Sequence, residues 1–381
     1  RPAIADEAEY FCLIFFAVLG LSVFMRHGPG AAALFTICIA AGLFFVSWRF
    51  YADEGLLLDA TGPTIGLALA WLGGMSGYSC RCCSDCARME RVFGGRLPQI
   101  TVRKLISRPD ILIPQSECRP VTCLSCGINN FGKLAADWEN SPTEFSLWLQ
   151  QRLEPMIDVV LRQGGMMIGA NGGEMTAVWN APLDDPDAAI HACAAASGMQ
   201  KFFADKEQIK TPSTITIGIA TGPCIAGSVE IHARTVYSTV GDCISTAAHL
   251  RRLAARYGQA VIVSQDIRDA ADASFAFLEA DFLDERASGN VVRLYAMQGD
   301  AAMRASPRFR ATATFQDHIF RAIHGKKWDE ARALIAQCRK LSGASQELYD
   351  LYMARIAYYE KNPPPQDWNG AFRPPSSPKP I

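Results

Sequence analysis

Three apolar runs open the chain. Tyr10 to Met25 and Ala31 to Trp48 hold no charged residue, and each approaches the ~20 residues that a bilayer core requires. The third runs from Leu56 to Tyr78, with Asp59 near its start and Pro63 in its first turns. Asp59 can sit at headgroup level, and proline is tolerated in the first turn of a membrane helix. The pattern predicts three transmembrane helices over residues 1–78, with three buried core helices as the alternative. A polar helix follows over residues 79–97 and stops near Gly94, Gly95 and Pro98. It begins a linker that extends to residue 116.

From Val121 the periodicity changes. Val121–Cys126 is strand-like. Pro142–Arg162 places Phe145, Leu149, Leu153, Met156, Ile157 and Val160 at helical spacing and ends at Gly164–Gly165. Met166–Ile168 and Met175–Trp179 predict a hairpin around Asn171-Gly172-Gly173. Ala188–Phe203 and Cys243–Tyr257 predict helices. Thr214–Thr221, Thr235–Val240, Val261–Val263 and Val291–Tyr295 predict strands. Alternating elements of this kind imply an α/β sandwich over residues 117–300. Residues 301–381 predict three helices, Thr314–His324, Trp328–Leu341 and Gln346–Lys361, then a Pro-rich tail from Pro363. The helices resemble one tetratricopeptide-like hairpin, which cannot bury its own face and should pack on the α/β domain or a partner.

Charge explains an unusual average. The 381 residues are 49% hydrophobic and only 20% charged, with 37 basic and 38 acidic side chains, net −1, and a mean hydropathy of +0.07. This excludes a disordered chain and gives no basic footprint for nucleic acid. Residues 1–78 hold just nine charges, three basic and six acidic, so the apolar average belongs to that end. Arg81, Arg88, Arg91, Arg96, Arg103 and Lys104 follow the third run and place that side in the cytoplasm. The chain begins Arg1-Pro2, and further sequence, with an extracytoplasmic domain, is expected upstream. Cysteine number is modest, and a cytoplasmic location disfavours structural disulfides. Cys82 and Cys86 lie one helical turn apart, and Cys123 and Cys126 have ligand-like spacing. On a strand, however, Cys123 and Cys126 point to opposite faces. Reduced, unpaired thiols are the alternative to a metal or redox site.

The blocks VTCLSCGINNFGKL, LRQGGMMIGANGGEMTAVWNAP, DAAIHACAAASGMQKF, ITIGIATGPCIAG and YSTVGDCISTAAHLRRLA resemble, in order and spacing, the class III adenylate/guanylate cyclase domain. Phe93–Pro98, FGGRLP, and the end around Trp368 resemble its membrane-bound bacterial CHASE2-type members. The fold implied is three transmembrane helices plus a ferredoxin-like α/β nucleotidyl cyclase domain, with a small helical C-terminal extension. The implied location is the bacterial inner membrane, with the cyclase-like domain on the cytoplasmic side. Gly164, Gly165, Gly172, Trp179, Pro182, Gly218, Gly222, Gly241 and Asp242 match the scaffold.

The resemblance also implies a reaction. The 3′ oxygen of a nucleoside triphosphate attacks the α-phosphate, with Mg2+ or Mn2+ held by two Asp carboxylates. The two metal carboxylates align with Gly127 and Gly173. The base readers align with Gly169 and Ser238, the ribose Asn with Ser245, and the transition-state Arg with His249. None of the six carries the required group. Glu174 neighbours Gly173, but strand alternation turns it to the opposite face.

The expectation drawn from these positions is a non-enzyme: a cyclase-like scaffold, regulatory or accessory subunit of a membrane assembly, with no catalytic residue and no cofactor. Its partners would be the bilayer, other membrane subunits or a cyclase-like chain, possible homodimerisation included, and no nucleic acid. The alternatives are an active nucleotidyl cyclase that uses non-standard residues, and a cysteine-based metal or redox sensor.

Overall fold

The computed structural model describes residues 3–54, 60–204, 214–232, 234–285, 290–340, 345–366 and 368–372. The chain divides into two compact units, 1–91 and 92–381.

The first unit is helical. Helix α1 (Ala3–Glu54) consists of two segments that meet at Gly28, whose φ of 83° and ψ of 179° leave helical space. Glycine adopts that conformation without a Cβ penalty, and Pro29 restarts the helix. Helix α2 (Thr61–Phe93) returns along α1: Trp71 Nε1 donates to Pro29 O at 3.3 Å, and the Phe24 and Tyr78 rings meet edge-on at 6.3 Å. Three separate spans were expected. Among the described residues, one helix is long and apolar enough to cross a membrane, Ile14–Asp53, with mean hydropathy 2.1. The first two apolar runs share α1, and the third, diluted by Thr, Gly and Ser, lies in a helix that continues into the polar stretch. Asp59 and the start of that third run fall outside the described residues.

The second unit is built on one eight-stranded sheet. Its elements in chain order are α3 (Gln99–Ile106), β1 (Ser116–Ile128), α4 (Phe131–Asp137), α5 (Pro142–Arg162), β2 (Met166–Asn171), β3 (Glu174–Trp179), α6 (Ala188–Ala204), β4 (Ile215–Ile231) and β5 (Arg234–Val240). Then follow α7 (Asp242–Arg256), β6 (Val261–Ser264), α8 (Gln265–Ala271), β7 (Phe275–Glu285), β8 (Asn290–Asp300), α9 (Ala301–Ala305), α10 (Pro307–His324), α11 (Trp328–Cys338) and α12 (Gln346–Lys361). The strand order is β2-β3-β1-β4-β6-β8-β7, with β5 paired to the far part of β4. β4 and β6 are parallel and the other pairs antiparallel. This is the mixed α/β sheet expected of the sandwich.

β1 is central, so both of its faces are covered. Leu124, Cys126 and Ile128 enter the core made with α5 and α6, where Met156, Val160, Ala192, Ala196 and Met199 meet Ile217 and Ile219. Cys123, Ser125 and Gly127 face α7, which lies across β4 and β1. Gly218 sets that distance. A Cβ there would run into the main chain of α7 at Ala247 O, at Arg251 N and at Leu250 C, 2.9 Å away.

The C-terminal helices pack on the far edge, with α10 against β7. Asp281 is 1% exposed and is gripped by Arg355 through two bonds of 2.5 and 2.7 Å. It also accepts from the Tyr257 hydroxyl and, at 2.8 Å, from Phe282 N. Gln316 ties α10 to α12 through Tyr352 at 2.9 Å and Tyr349 at 3.2 Å. The tail beyond Phe372 lies outside the described residues.

Candidate active site

Antiparallel register decides which side chains share a face. Gly127 lies directly opposite Glu174 on β3, and cross-strand partners project to the same side. That side is covered by α7. Arg251, two residues after His249 on α7, reaches down to it: Arg251 Nη2 donates to Glu174 Oε1 at 2.5 Å. The Arg251 side chain is 12% exposed and the Glu174 side chain 61%. Any side chain at Gly127 would run into this guanidinium, with Cζ 3.1 Å and Cδ 3.2 Å from its Cβ. Arg251 Nε is buried and unpartnered among the described residues.

Alternation between Gly173 and Glu174 holds. A Cβ at Gly173 points at the Phe131 ring, with Cγ 2.7 Å away, on the α5 side. It is therefore Gly173 that turns away from the face of Gly127, and Glu174 that faces it. The backbone closes the corner, with Ile128 N donating to Gly173 O at 2.9 Å.

The other positions divide. Gly169 pairs with Thr176 next to a bulge in β2 and is half-buried. Ser238 pairs with Gly227, which pairs with Ser116. Ser238 therefore lies by the opposite end of the 13-residue β1 from Gly127. Ser245 is exposed in the first turns of α7, and His249 is half-buried. One chain thus gathers Gly127, Glu174 and Arg251 on one face, turns Gly173 to the other, and leaves Ser238 apart.

The interdomain-like linker reaches both strands that carry base-reading positions. Arg96 Nε donates to Met167 O at 3.0 Å on β2, and its Nη1 donates to Tyr237 O at 3.4 Å on β5. The Phe93 and Tyr237 rings lie 5.4 Å apart. Burial pushes the Tyr237 hydroxyl up to about 12.

The cysteines part as strand geometry requires. Cys126 enters the α5–α6 core, and burial pushes its thiol up to about 12 against the opposing charge of Arg251. Cys123 faces Cys224 and Cys243, whose sulfurs are 2.8 Å apart. Burial raises both Cys123 and Cys243, which makes them poor nucleophiles. Cys86 is half-buried and unpaired, and the Cys82 side chain is outside the described residues. Among the described residues, no three His, Cys, Asp or Glu side chains gather as a metal site.

A divalent ion must therefore be tested against a sparse donor set. Two-carboxylate ligation through positions 127 and 173 does not fit, because both are glycine and both spaces are filled. Glu174 does fit as one carboxylate beside a triphosphate, since Mg2+ commonly takes one or two carboxylates plus phosphate oxygens and water.

No protein-family model matches the chain. Over 149 residues it is 30% identical to adenylate cyclase 1 of Rhizobium meliloti (strain 1021), covering 38% of this chain and 22% of that protein. Over 164 residues it is 23% identical to the adenylate cyclase of Anabaena cylindrica, covering 42% and 32%. The chain thus spans about a fifth to a third of the curated relatives it matches. Similar solved structures include the guanylyl cyclase Cya2, with TM-score 0.44 and 23% identity over 49% of this chain and 94% of that one. The adenylyl cyclase CyaB from P. aeruginosa has TM-score 0.44 and 18% identity over 48% and 95%. The guanylyl cyclase domain of RhoGC from Blastocladiella emersonii, described as dimeric, has TM-score 0.42 and 20% identity over 49% and 99%.

Over about two fifths of its length the chain is thus similar to adenylate cyclases. Two expectations are corrected by this similarity. The non-enzymatic scaffold or accessory subunit is overturned, because the named relatives are cyclases and none is a scaffold. The expectation of no cofactor rested on the non-enzyme reading and falls with it. The physical reason lies in the register. Glu174 is turned away from Gly173, as strand alternation requires, and the register places it opposite Gly127 beside Arg251 of α7.

Proposed function

We propose that residues 117–300 form a nucleotidyl cyclase domain that converts a nucleoside triphosphate, with ATP as first choice, into a 3′,5′-cyclic monophosphate and pyrophosphate. The observation that carries this reading is the Glu174 carboxylate, placed opposite Gly127 on the face covered by α7. The 30% identity to an adenylate cyclase over 149 residues supports the reaction class. Glu174 would hold Mg2+ or Mn2+ together with the triphosphate, and the bound ion would supply charge neutralisation and an acidified 3′ hydroxyl. The carboxylate itself orients the reacting end of the nucleotide beside β1. The base-reading position Ser238 lies at the far end of β1, which supports a site completed by a second protomer.

The surface of the β4–β5 hairpin supports that dimer. Ile225, Val229, Ile231, Val236 and Val240 are all exposed and fall on one face by register. An apolar ladder of this kind is a protein-interaction surface. The helix Ile14–Asp53 supports attachment to a membrane, with the domain on the Arg-rich, cytoplasmic side.

The test is an assay of the full chain, purified in detergent, with ATP or GTP and Mg2+ or Mn2+, quantifying cyclic nucleotide and pyrophosphate. Cyclic AMP should form, and Glu174→Gln should lower kcat by about 10²-fold, the effect of losing one charge-stabilising group. Absence of any cyclic nucleotide from a folded, dimeric chain would sink the proposal.

A further inference from the structure

Arg251 is the charged side chain that the aligned cyclase positions do not account for. It is mostly buried, its Nη1 fills the space that a side chain at Gly127 would need, and its Nε has no partner among the described residues. Among the described residues it pairs with Glu174, which is largely exposed. A buried guanidinium with spare donors is an incomplete arrangement, because buried donors left unmade cost free energy. The residue that makes room for it is Gly127. Glycine and arginine here are complementary: an acid at 127 would collide with the guanidinium or bind it directly. The anchor is rigid, because α7 is held against β4 at Gly218.

We propose that Arg251 is a phosphate-binding residue of this site, a fixed cation that takes triphosphate oxygens in the place where an acid at 127 would hold a metal ion. A planar guanidinium presents paired donors suited to phosphate, and it cannot lose its charge. In the resting chain Glu174 occupies part of that fork. Binding of the nucleotide exchanges the Glu174 bond for phosphate bonds and frees the carboxylate for the ion that accompanies the triphosphate. Gly127 and Arg251 thus replace one acid-plus-metal pair, and the requirement falls from two ions to one. The ligand class follows from the nucleotide reading of the site, but the chemistry needs only a polyphosphate.

The experiment is calorimetric titration of inorganic tripolyphosphate, and separately of ATP, into the full chain in detergent with EDTA present. The wild type should bind both without a divalent ion. Arg251→Gln should weaken binding by about 10- to 100-fold, as expected for charge-assisted bonds. Gly127→Asp should weaken it similarly by engaging the guanidinium. Glu174→Gln should tighten metal-free binding several-fold while lowering turnover, a gain that misfolding cannot produce. Equal affinities for wild type and Arg251→Gln, or no gain in Glu174→Gln, overturn the proposal. Metal-free binding without turnover would keep it while removing the cyclase reading.

Discussion

Replacing Arg355 by Met isolates the energetics of the contact that fastens the C-terminal helices to the sheet. Asp281 is 1% exposed and the Arg355 side chain 12%. The pair is bidentate, at 2.5 and 2.7 Å, and the Arg355 guanidinium also lies 3.9 Å over the Phe372 ring. Removing one partner of a buried pair costs about 3–5 kcal/mol, because the remaining charge is stranded. Asp281 keeps two donors, the Tyr257 hydroxyl and Phe282 N, which favours the lower end, about 3 kcal/mol. For a unit of this size that is a fall of about 6–12 °C in Tm. The assay is thermal and denaturant unfolding of the full chain in detergent. A double variant, Asp281→Asn with Arg355→Met, removes both charges and leaves an acceptor for Tyr257. It should recover more than half of the loss, for a coupling of at least about 1.5 kcal/mol. A single variant within about 0.5 kcal/mol of wild type, below the usual cost of a buried-pair break, would refute the reasoning. So would simple additivity in the double variant.

Two further outcomes follow from the packing. Gly218→Ala should cost about 1–3 kcal/mol by overpacking, since its Cβ would meet α7 main chain rather than a side chain that can move. It should also displace Arg251 and reduce tripolyphosphate binding, and an unchanged Tm would contradict the close approach of α7 to β4. The second concerns pH. Burial pushes the Cys193 thiol up to about 12 from an ordinary value of 9.0. The folded chain therefore holds this proton where the unfolded chain has lost it. Its contribution is complete below pH 9 and is lost as pH rises from 9 toward 12. Cys193→Ala should flatten the fall in unfolding free energy over that range by up to about 1.4 kcal/mol per pH unit. An identical slope in denaturant titrations at stepped pH would show that the thiol is not proton-linked to folding.

How far the fold was legible depends on where local and tertiary signals agree. Pro142–Arg162 was read to the residue, because its apolar period and terminal Gly164 are both local. β1 and β4 extend beyond the expected limits at Val121 and Thr221, past Pro120 and Pro223, a residue type that local pattern places outside central strands. In the sheet those two prolines lie opposite each other in register, so both strands run on past them. β7 was not expected at all. It carries bulges between Ala276 and Phe277 and between Glu279 and Asp281, and a bulge breaks the period-two alternation by which a strand is recognised.

The candidate site fails in sequence for a related reason. The empty positions at Gly127 and Gly173 are visible from the aligned blocks, since a glycine states plainly that a carboxylate is missing. The groups proposed to compensate them are placed by the fold: Glu174, next to Gly173 in sequence, and Arg251 on α7. Glu174 serves Gly127 because β3 pairs with β1 in one particular register, and a shift of one residue would turn it to the α5 side. Arg251 reaches the same place because Gly218 lets α7 lie close to β4. A sequence reading weighs residue identity at each aligned position, whereas the proposed site draws its charges from one face of the sheet: an acid across a strand pair from Gly127, and a cation from the helix above. The small residues at 127 and 218 are the signal that was available. A glycine on the buried part of a central strand leaves a volume that a neighbouring long side chain must fill, and on the α7 side Arg251 fills it.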